Sequence, residues 1–415
     1  MGGIAPGELA AIRGRLEAFA DDIFESLPRK DQRARGACYL RGLMLEGRRK
    51  SVEPMAQRLG GEVHYQALHH FVATSPWDWR PVRRRLAERL VTALAPTAWA
   101  VDDTSFPKDG DHSVGVQRQY SGTLGKTANC QLGVSVNAVT EQASCPLDWR
   151  LFLPQRWDHD ARRRAACQLP QRVRHQPKWR LVLDMLDELA GWGLRPPVLV
   201  ADCGYGEVGE FRQGLEDRQL GYVVQVRADT SAYPEQVRPT TAPYTGRGRH
   251  PRPRYRDKPG SLKQLALAAG QGAGVDLIWR RGSKGLQRSR LLALRVRPAG
   301  ITPRRQAAAR ADADGVGWEL PTRWLLVEWP TDKAEPVKYW LSNLPAPTPL
   351  VELVRLGKLR WRIEQDYREG KGALGLDHFQ GRSWPGWHHH VTLVAVAHGF
   401  LTLERLRRPQ PAASA

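Results

Sequence analysis

The sequence predicts a mixed α/β protein that opens with helices, passes through two stretches of short strands and closes with helices. Three observations carry this. Apolar residues recur at helical spacing through the first 95 positions, as Leu9, Ile12, Leu16, Phe19 and Ile23, then Leu40, Leu43 and Met44. From Ala98 the pattern changes to short runs of β-branched and aromatic residues broken by turn signals. From about Leu350 helical spacing returns and holds almost to the end.

The elements follow in order. Between Met55 and Thr74, MAQRLGG and VHYQALHHFVAT form two short helical runs around Gly60–Gly61, a candidate helix-turn-helix; packing within a helical domain is the simpler alternative. The next helix has Ser75 as its expected cap, Pro76 at the first helical position and Asp78 three residues after the cap. Arg80, Arg83, Arg84 and Arg85 line it, and Arg83 and Arg84 are expected to meet phosphates. WAVDDTSF, GVQRQYSG, CQLGVSVNAV and WRLFLP read as strands, and Asp158–Trp192 as helical. PPVLVADCGYGE is a buried strand running into a glycine-rich turn, followed by a helix and the strand YVVQV. Residues 238–260 are rich in Pro, Gly and Arg and read as an exposed loop or linker. DLIWRR, LLALRV, WLLVEW and KYWLSNL supply a second set of strands. The expected division is 1–95, helical and DNA-binding; 96–230, mixed α/β; 231–345, β-rich; 346–407, closing helices; and 408–415, a disordered tail.

Composition narrows the partners. The chain has 415 residues, ordinary proportions of charged and hydrophobic residues, and a net charge of +20 with a pI of 10.2. So large an excess of cations repels itself unless a polyanion neutralises it, which points to nucleic acid ahead of a membrane surface. Biased Arg usage is the bland alternative. Five scattered cysteines suit a reducing compartment and speak against a structural zinc site. The N-terminus lacks the apolar core of a signal peptide, and Val391–Leu403 is too short to span a bilayer. A soluble protein of the cytoplasm or nucleoid is expected, with no membrane role, since no strongly basic helix has a wide apolar face.

Asp102 and Asp103 close the apolar run AWAV, and Asp202 closes VLVA; the end of a buried strand is where α/β sheets place functional groups. A third acid, Glu364, lies in LRWRIEQDYREGKGALGLDHFQGRSW. If that stretch is one helix, Arg360, Glu364 and Lys371 fall near one face. Trp361, Tyr367, Trp384 and Trp387 interleave with arginines, a combination suited to lying along DNA. An exposed ladder Arg360–Glu364–Arg368 is the alternative. Lys108, Arg118 and Lys126, near the first acids, are further candidate DNA contacts. His388–His390 point about 100° apart on a helix and so do not converge on one metal ion; packing or phosphate contact is expected instead.

DDTSFPKDG with SVGVQRQYSGTLGKTANCQ, then VADCGYGE, then RWRIEQDYREGKGALGLDHFQGRSWPGWHHHVTL resemble, in order, the three acidic segments of DDE insertion-sequence transposases. Arg360, Glu364 and Lys371 fit the Tyr–Arg–Glu–Lys signature of one group, although Gly357 stands where that group has Tyr. The resemblance implies an RNase H-like catalytic core interrupted by a β-rich insertion. It implies Asp102, Asp202 and Glu364 as catalytic ligands of two Mg²⁺ ions (or Mn²⁺), with Asp103 as the alternative first acid. The partners implied are double-stranded DNA, both transposon terminal repeats and target DNA, bound by a homodimer. The activity implied is hydrolysis at the element ends followed by strand transfer of the 3′-OH. Lys108, Arg118, Lys126, Arg360, Trp361, Tyr367, Lys371, Arg83 and Arg84 would hold the DNA. Two other classes fit the same charge: an inactive, transposase-derived DNA-binding protein, and a nuclease that cuts without joining.

Overall fold

The computed structural model describes residues 6–248, 250–282, 285–311 and 317–407. The expected tail 408–415 lies outside them. Contacts divide the chain into two units, Met1–Arg195 with Trp361–Ala415, and Pro196–Arg360. In this division the first 95 residues share a unit with the strands that follow.

The first unit begins with five helices, α1 (Pro6–Phe24), α2 (Lys30–Met44), α3 (Val52–Arg58), α4 (Tyr65–Ala73) and α5 (Trp79–Leu94). The expected cap of α5 moves by three residues. Asp78 accepts from the Arg80 amide at 3.0 Å, whereas Ser75 is buried and its hydroxyl accepts from Gln32. Asp is the stronger cap here because its carboxylate also meets the positive end of the helix.

Four antiparallel strands follow: β1 (Ala98–Pro107), β2 (Gln117–Ser121), β3 (Lys126–Val139) and β4 (Ser144–Leu151). β1 pairs along one edge of β3, while β2 and β4 share the other edge, one at each end. The helical stretch expected over Asp158–Trp192 is broken into α6 (Ala161–Ala166) and α7 (Lys178–Gly191), because Pro170 and Pro177 interrupt it.

The second unit contains β5 (Leu199–Ala201), α8 (Cys203–Gly206), α9 (Gly209–Asp217), β6 (Tyr222–Val226), β7 (Ser231–Pro234), β8 (Gly260–Ser261) and α10 (Leu262–Ala269). It continues with β9 (Val275–Gly282), β10 (Gly285–Pro298), α11 (Ile301–Arg310), β11 (Arg323–Glu328), β12 (Lys338–Ser342) and α12 (Leu350–Leu359). Its strands run in the order β5-β6-β12-β11-β10-β7-β8, with β9 on β10. Among the described strands of this unit only β5 and β6 pair in parallel, joined through α8 and α9, so Asp202 stands where a strand hands over to a helix. Gly206 is dictated by proximity: a Cβ there would lie 2.0 Å from the Gln225 carbonyl oxygen.

Two more helices complete the first unit: α13 (Trp361–Gly372) and α14 (Trp384–Arg407). The chain turns at Arg360, so Arg360 ends one helix and Glu364 and Lys371 belong to the next. Glu364 and Lys371 share α13, and the boundary between the two units falls just before that helix. On α14 nearly every side chain from Trp384 to Phe400 is buried, by α2, α4, α5 and β4. No helix among the described residues is long and apolar enough to cross a membrane.

Candidate active site

Side chains alternate along a strand, so Asp102 and Asp103 look to opposite faces of the sheet. Asp103 meets Lys178 at the start of α7, Nζ to Oδ2 2.9 Å. Asp102 is paired across the sheet with Ser135, whose hydroxyl lies 2.9 Å from the Tyr367 hydroxyl of α13. Asp102 therefore shares its face with the helix that bears Glu364. The charge of Asp102 also reaches Tyr367: burial, then Asp102, pushes that phenol well above its ordinary range. Glu364 sits exposed in the first turn of α13, where the helix dipole favours a carboxylate.

What fixes α13 on the sheet is a set of buried polar contacts that the sequence did not announce. Asp366 accepts from Ser144 Oγ (2.6 Å) and Asn137 Nδ2 (2.9 Å), and His398 Nε2 lies 3.6 Å from it. Burial raises the Asp366 pKa, against the pull of His398 and of those two donors. Two turns beyond Glu364, Lys371 donates to the Ser105 carbonyl and to Thr123 Oγ1, both at 2.7 Å. Its ammonium lies over the Phe106 ring, and burial lowers its pKa.

Several expected DNA contacts fall in usable positions. Arg118 and Lys126 are exposed on β2 and at the start of β3, and Arg84 is exposed beside Glu88. Lys108 is half-buried, donates to the Phe379 carbonyl and has its pKa lowered by burial. Trp361 is half-buried under the Arg362 guanidinium.

Two others are corrected. Arg83 is 2% exposed and holds Thr392, Asp148, the Trp149 carbonyl and His388. It is a structural pivot and no phosphate reaches it. Burial lowers its pKa to about 10, with Asp148 opposing the shift. Tyr367 is 9% exposed and committed to Ser135, so it packs and does not touch DNA. On the side of Arg83, α5 is covered by β4 and α14, and α13 lies against β1, β3 and β4.

The three histidines are buried and serve packing. His388 accepts from Arg83 at Nδ1 and stacks on Trp79, and His390 lies between the Tyr39 hydroxyl and the Gly375 carbonyl. His389 lies between the carbonyls of Val72 and Trp77 and could donate to both only as a cation. Burial holds its pKa down at about 4, so at neutral pH one of the two goes unmet.

Asp202 caps α8, accepting from the Tyr205 amide at 3.3 Å. It belongs to the second unit, Asp102 and Glu364 to the first. Among the described residues of either unit, no three His, Cys, Asp or Glu side chains are gathered to hold a metal ion. The proposed donor set is all carboxylate oxygen, the chemistry that suits Mg²⁺ or Mn²⁺.

Beyond Pro107 the first unit has a cavity of about 410 Å³, lined by Arg49, Lys108, His112, His378 and Arg382 together with Asp377. No sequence spacing linked these residues, which come from three loops.

Known proteins resemble parts of this chain. A relative from Microchaete diplosiphon, described as a probable transposase for insertion sequence element IS701, is 30% identical over 191 residues. That match covers 45% of this chain and 47% of the relative, so the chain spans about half the length of the curated relative it matches. Among solved structures, the piggyBac transposase synaptic complex with hairpin DNA is matched over 95% of this chain and 73% of that one. At 10% identity and a TM-score of 0.41, that likeness carries no argument. A family profile described as DDE superfamily endonuclease matches residues 22–286, more than half of the chain and inclusive of both acidic strand ends. The chain belongs to the DDE superfamily of endonucleases.

Proposed function

We propose that this protein is a DNA transposase of the insertion-sequence type, with an RNase H-like core and a β-rich insertion over 231–345. It would cleave at the ends of its element and transfer the freed 3′-OH into target DNA. The observation that supports this most is the placement of Asp102 on the sheet face that carries α13 and Glu364, in a chain of the DDE superfamily. Asp102, Glu364 and Asp202 are the metal ligands in this reading, Asp202 being assigned from its sequence motif. The opposite face that Asp103 occupies and its pairing with Lys178 support Asp102 over Asp103 as the first acid.

The chain's own residues then have distinct tasks. Asp102 offers its carboxylate from a strand hydrogen-bonded along its length, so little reorganisation is needed when substrate arrives. Glu364 is presented by a helix anchored through Asp366 and Tyr367. Lys371 keeps a cation at the same face, and Arg360, Trp361, Lys108, Arg118, Lys126 and Arg84 would steer the DNA backbone. Two divalent ions, when bound, would neutralise phosphoryl charge and activate the attacking water. Because two DNA ends must be held together, a homodimer on DNA is part of the proposal.

The test uses DNA carrying the sequences that flank the gene, incubated with Mg²⁺ or Mn²⁺, with wild type and Glu364→Gln compared. Nicks at defined end positions that vanish in the variant are expected, with joined products when target DNA is added. Binding without cutting under either ion would replace the proposal with an inactive DNA-binding protein, and cutting without joining with a simple nuclease.

A further inference from the structure

Strict alternation along β3 places Asn129, Gln131, Gly133 and Ser135 on one face. Ser135 is opposite Asp102 on β1, and Asn129 is opposite Arg118 on β2. Arg118 and, two residues on, Tyr120 therefore lie on the same sheet face as Asp102. Tyr120 is 66% exposed, and Leu124 in the adjoining turn is 45% exposed, between exposed Arg118 and Lys126. An edge strand that offers an aromatic ring and an apolar side chain to water invites a partner. Asn129 continues the surface, since its Nδ2 donates to the carbonyls of Lys108 and Gly110, and both residues line the basic cavity. Within that cavity Asp377 Oδ1 is buried without a hydrogen-bond partner, its nearest basic group being His378 Nε2 at 3.8 Å.

We propose that Tyr120, Arg118 and the adjoining cavity form a track for an unpaired DNA strand next to the cut. Tyr120 stacks on a base, and Arg49, Lys108 and Arg382 take phosphates. An exocyclic amino group of a base entering the cavity would donate to Asp377. A duplex fits these features poorly, because its base faces are already stacked and only a strand with free ring faces can use Tyr120. The cavity volume falls in the roughly 300–1,000 Å³ range of small-ligand sites, enough for single nucleotides and too little for a duplex. The inference rests on the proposed DNA-cutting function and adds to it the form of the DNA held beside the site.

The test is metal-free binding of the full chain to a single-stranded oligonucleotide and to its duplex, each containing 2-aminopurine, read by anisotropy and by fluorescence quenching. Tyr120→Ala is expected to weaken single-strand binding by about 5- to 100-fold and to abolish quenching, as loss of one stacked base would. Tyr120→Phe should retain both, and duplex binding should change less than about twofold. Arg49→Ala with Arg382→Ala should lower the salt dependence of single-strand binding. Equal loss on single strand and duplex, or no loss on either, overturns the proposal. So does a change of oligomeric state in Tyr120→Ala, which would make the patch a contact between copies. If wild type binds the strand as described but never cuts DNA, the track stands and the transposase reading falls. If it cuts while Tyr120→Ala binds normally, the reverse holds.

Discussion

Replacing Arg83 by Met removes a guanidinium that makes five contacts inside the first unit: Nε to Thr392 (2.7 Å), Nη1 to Asp148 and to the Trp149 carbonyl (both 2.8 Å), and Nη2 to His388 Nδ1 and to its carbonyl. Breaking a buried pair by removing one partner costs about 3–5 kcal/mol. Asp148 keeps one cation, Arg150 at 2.6 Å, and the Trp149 amide; the Trp149 carbonyl keeps Arg150 at 3.1 Å and the His388 carbonyl keeps Thr392 at 2.7 Å. The cost should therefore fall near the lower end, about 3 kcal/mol. With a urea slope of roughly 1–3 kcal/mol/M, the midpoint should drop by about 1 M or more. Arg83→Lys should recover little, since an ammonium cannot reproduce the planar fork. The assay is urea unfolding followed by tryptophan fluorescence, with DNA binding of each folded variant measured across salt. A loss below about 1 kcal/mol, accompanied by a salt slope reduced by about one, would refute the reasoning. Arg83 would then be a phosphate contact after all.

Asp102→Asn should abolish metal-dependent nicking. Asp103→Asn should keep most of it and lose at most about 1 kcal/mol, because its pair with Lys178 is partly exposed; mapping nicks for both variants decides between them. Asp366→Asn should leave urea stability nearly unchanged, since the amide can still meet Ser144 and Asn137 without a buried charge, whereas Asp366→Ala should cost about 1–3 kcal/mol. Acid should weaken the first unit through its buried histidines. His390 is held neutral in the fold with a pKa of about 4, chiefly by burial, so on acidification the unfolded chain takes up the proton first. Stability should fall as pH drops from about 6.5 towards 4, by up to about 1.4 kcal/mol per pH unit for each such histidine, and His390→Gln should flatten the slope. A pH-independent urea midpoint over that range would contradict this. Gly206→Ala should destabilise the second unit and disturb the turn capped by Asp202, read as early loss of amide protection there; a variant as stable as wild type would show the Gln225 contact to be soft.

Much of the fold was legible because its signals are local. Val101 and Ala201 end apolar strands beside acids, and the alternation of β3 is visible in LGVSVNAV. What stayed hidden depends on contacts far apart in sequence. Arg83 and Arg84 are neighbours with the same composition around them, yet one is buried under α14 and the other meets solvent. Nothing local in DYREG tells that Asp366 and Tyr367 face Ser144 and Ser135, whose positions are set by the β3–β4 register. The different surroundings of Asp102 and Asp103 were likewise not legible, since Lys178 and Tyr367 meet the two faces of β1 from positions far away in sequence.

The burial of α14 also orders events during synthesis. The first unit is interrupted by a contiguous second unit, and its central helix is made only after that second unit. At about 5–20 residues per second, the second unit takes roughly ten to thirty seconds to emerge, during which α5 and β4 lack the helix that covers them. Until then α13, which bears Glu364, is not yet docked on the sheet through Asp366 and Tyr367. A nascent or prematurely ended chain would therefore carry the cationic surface and leave apolar surface on α5 and β4 exposed for chaperones and proteases to find.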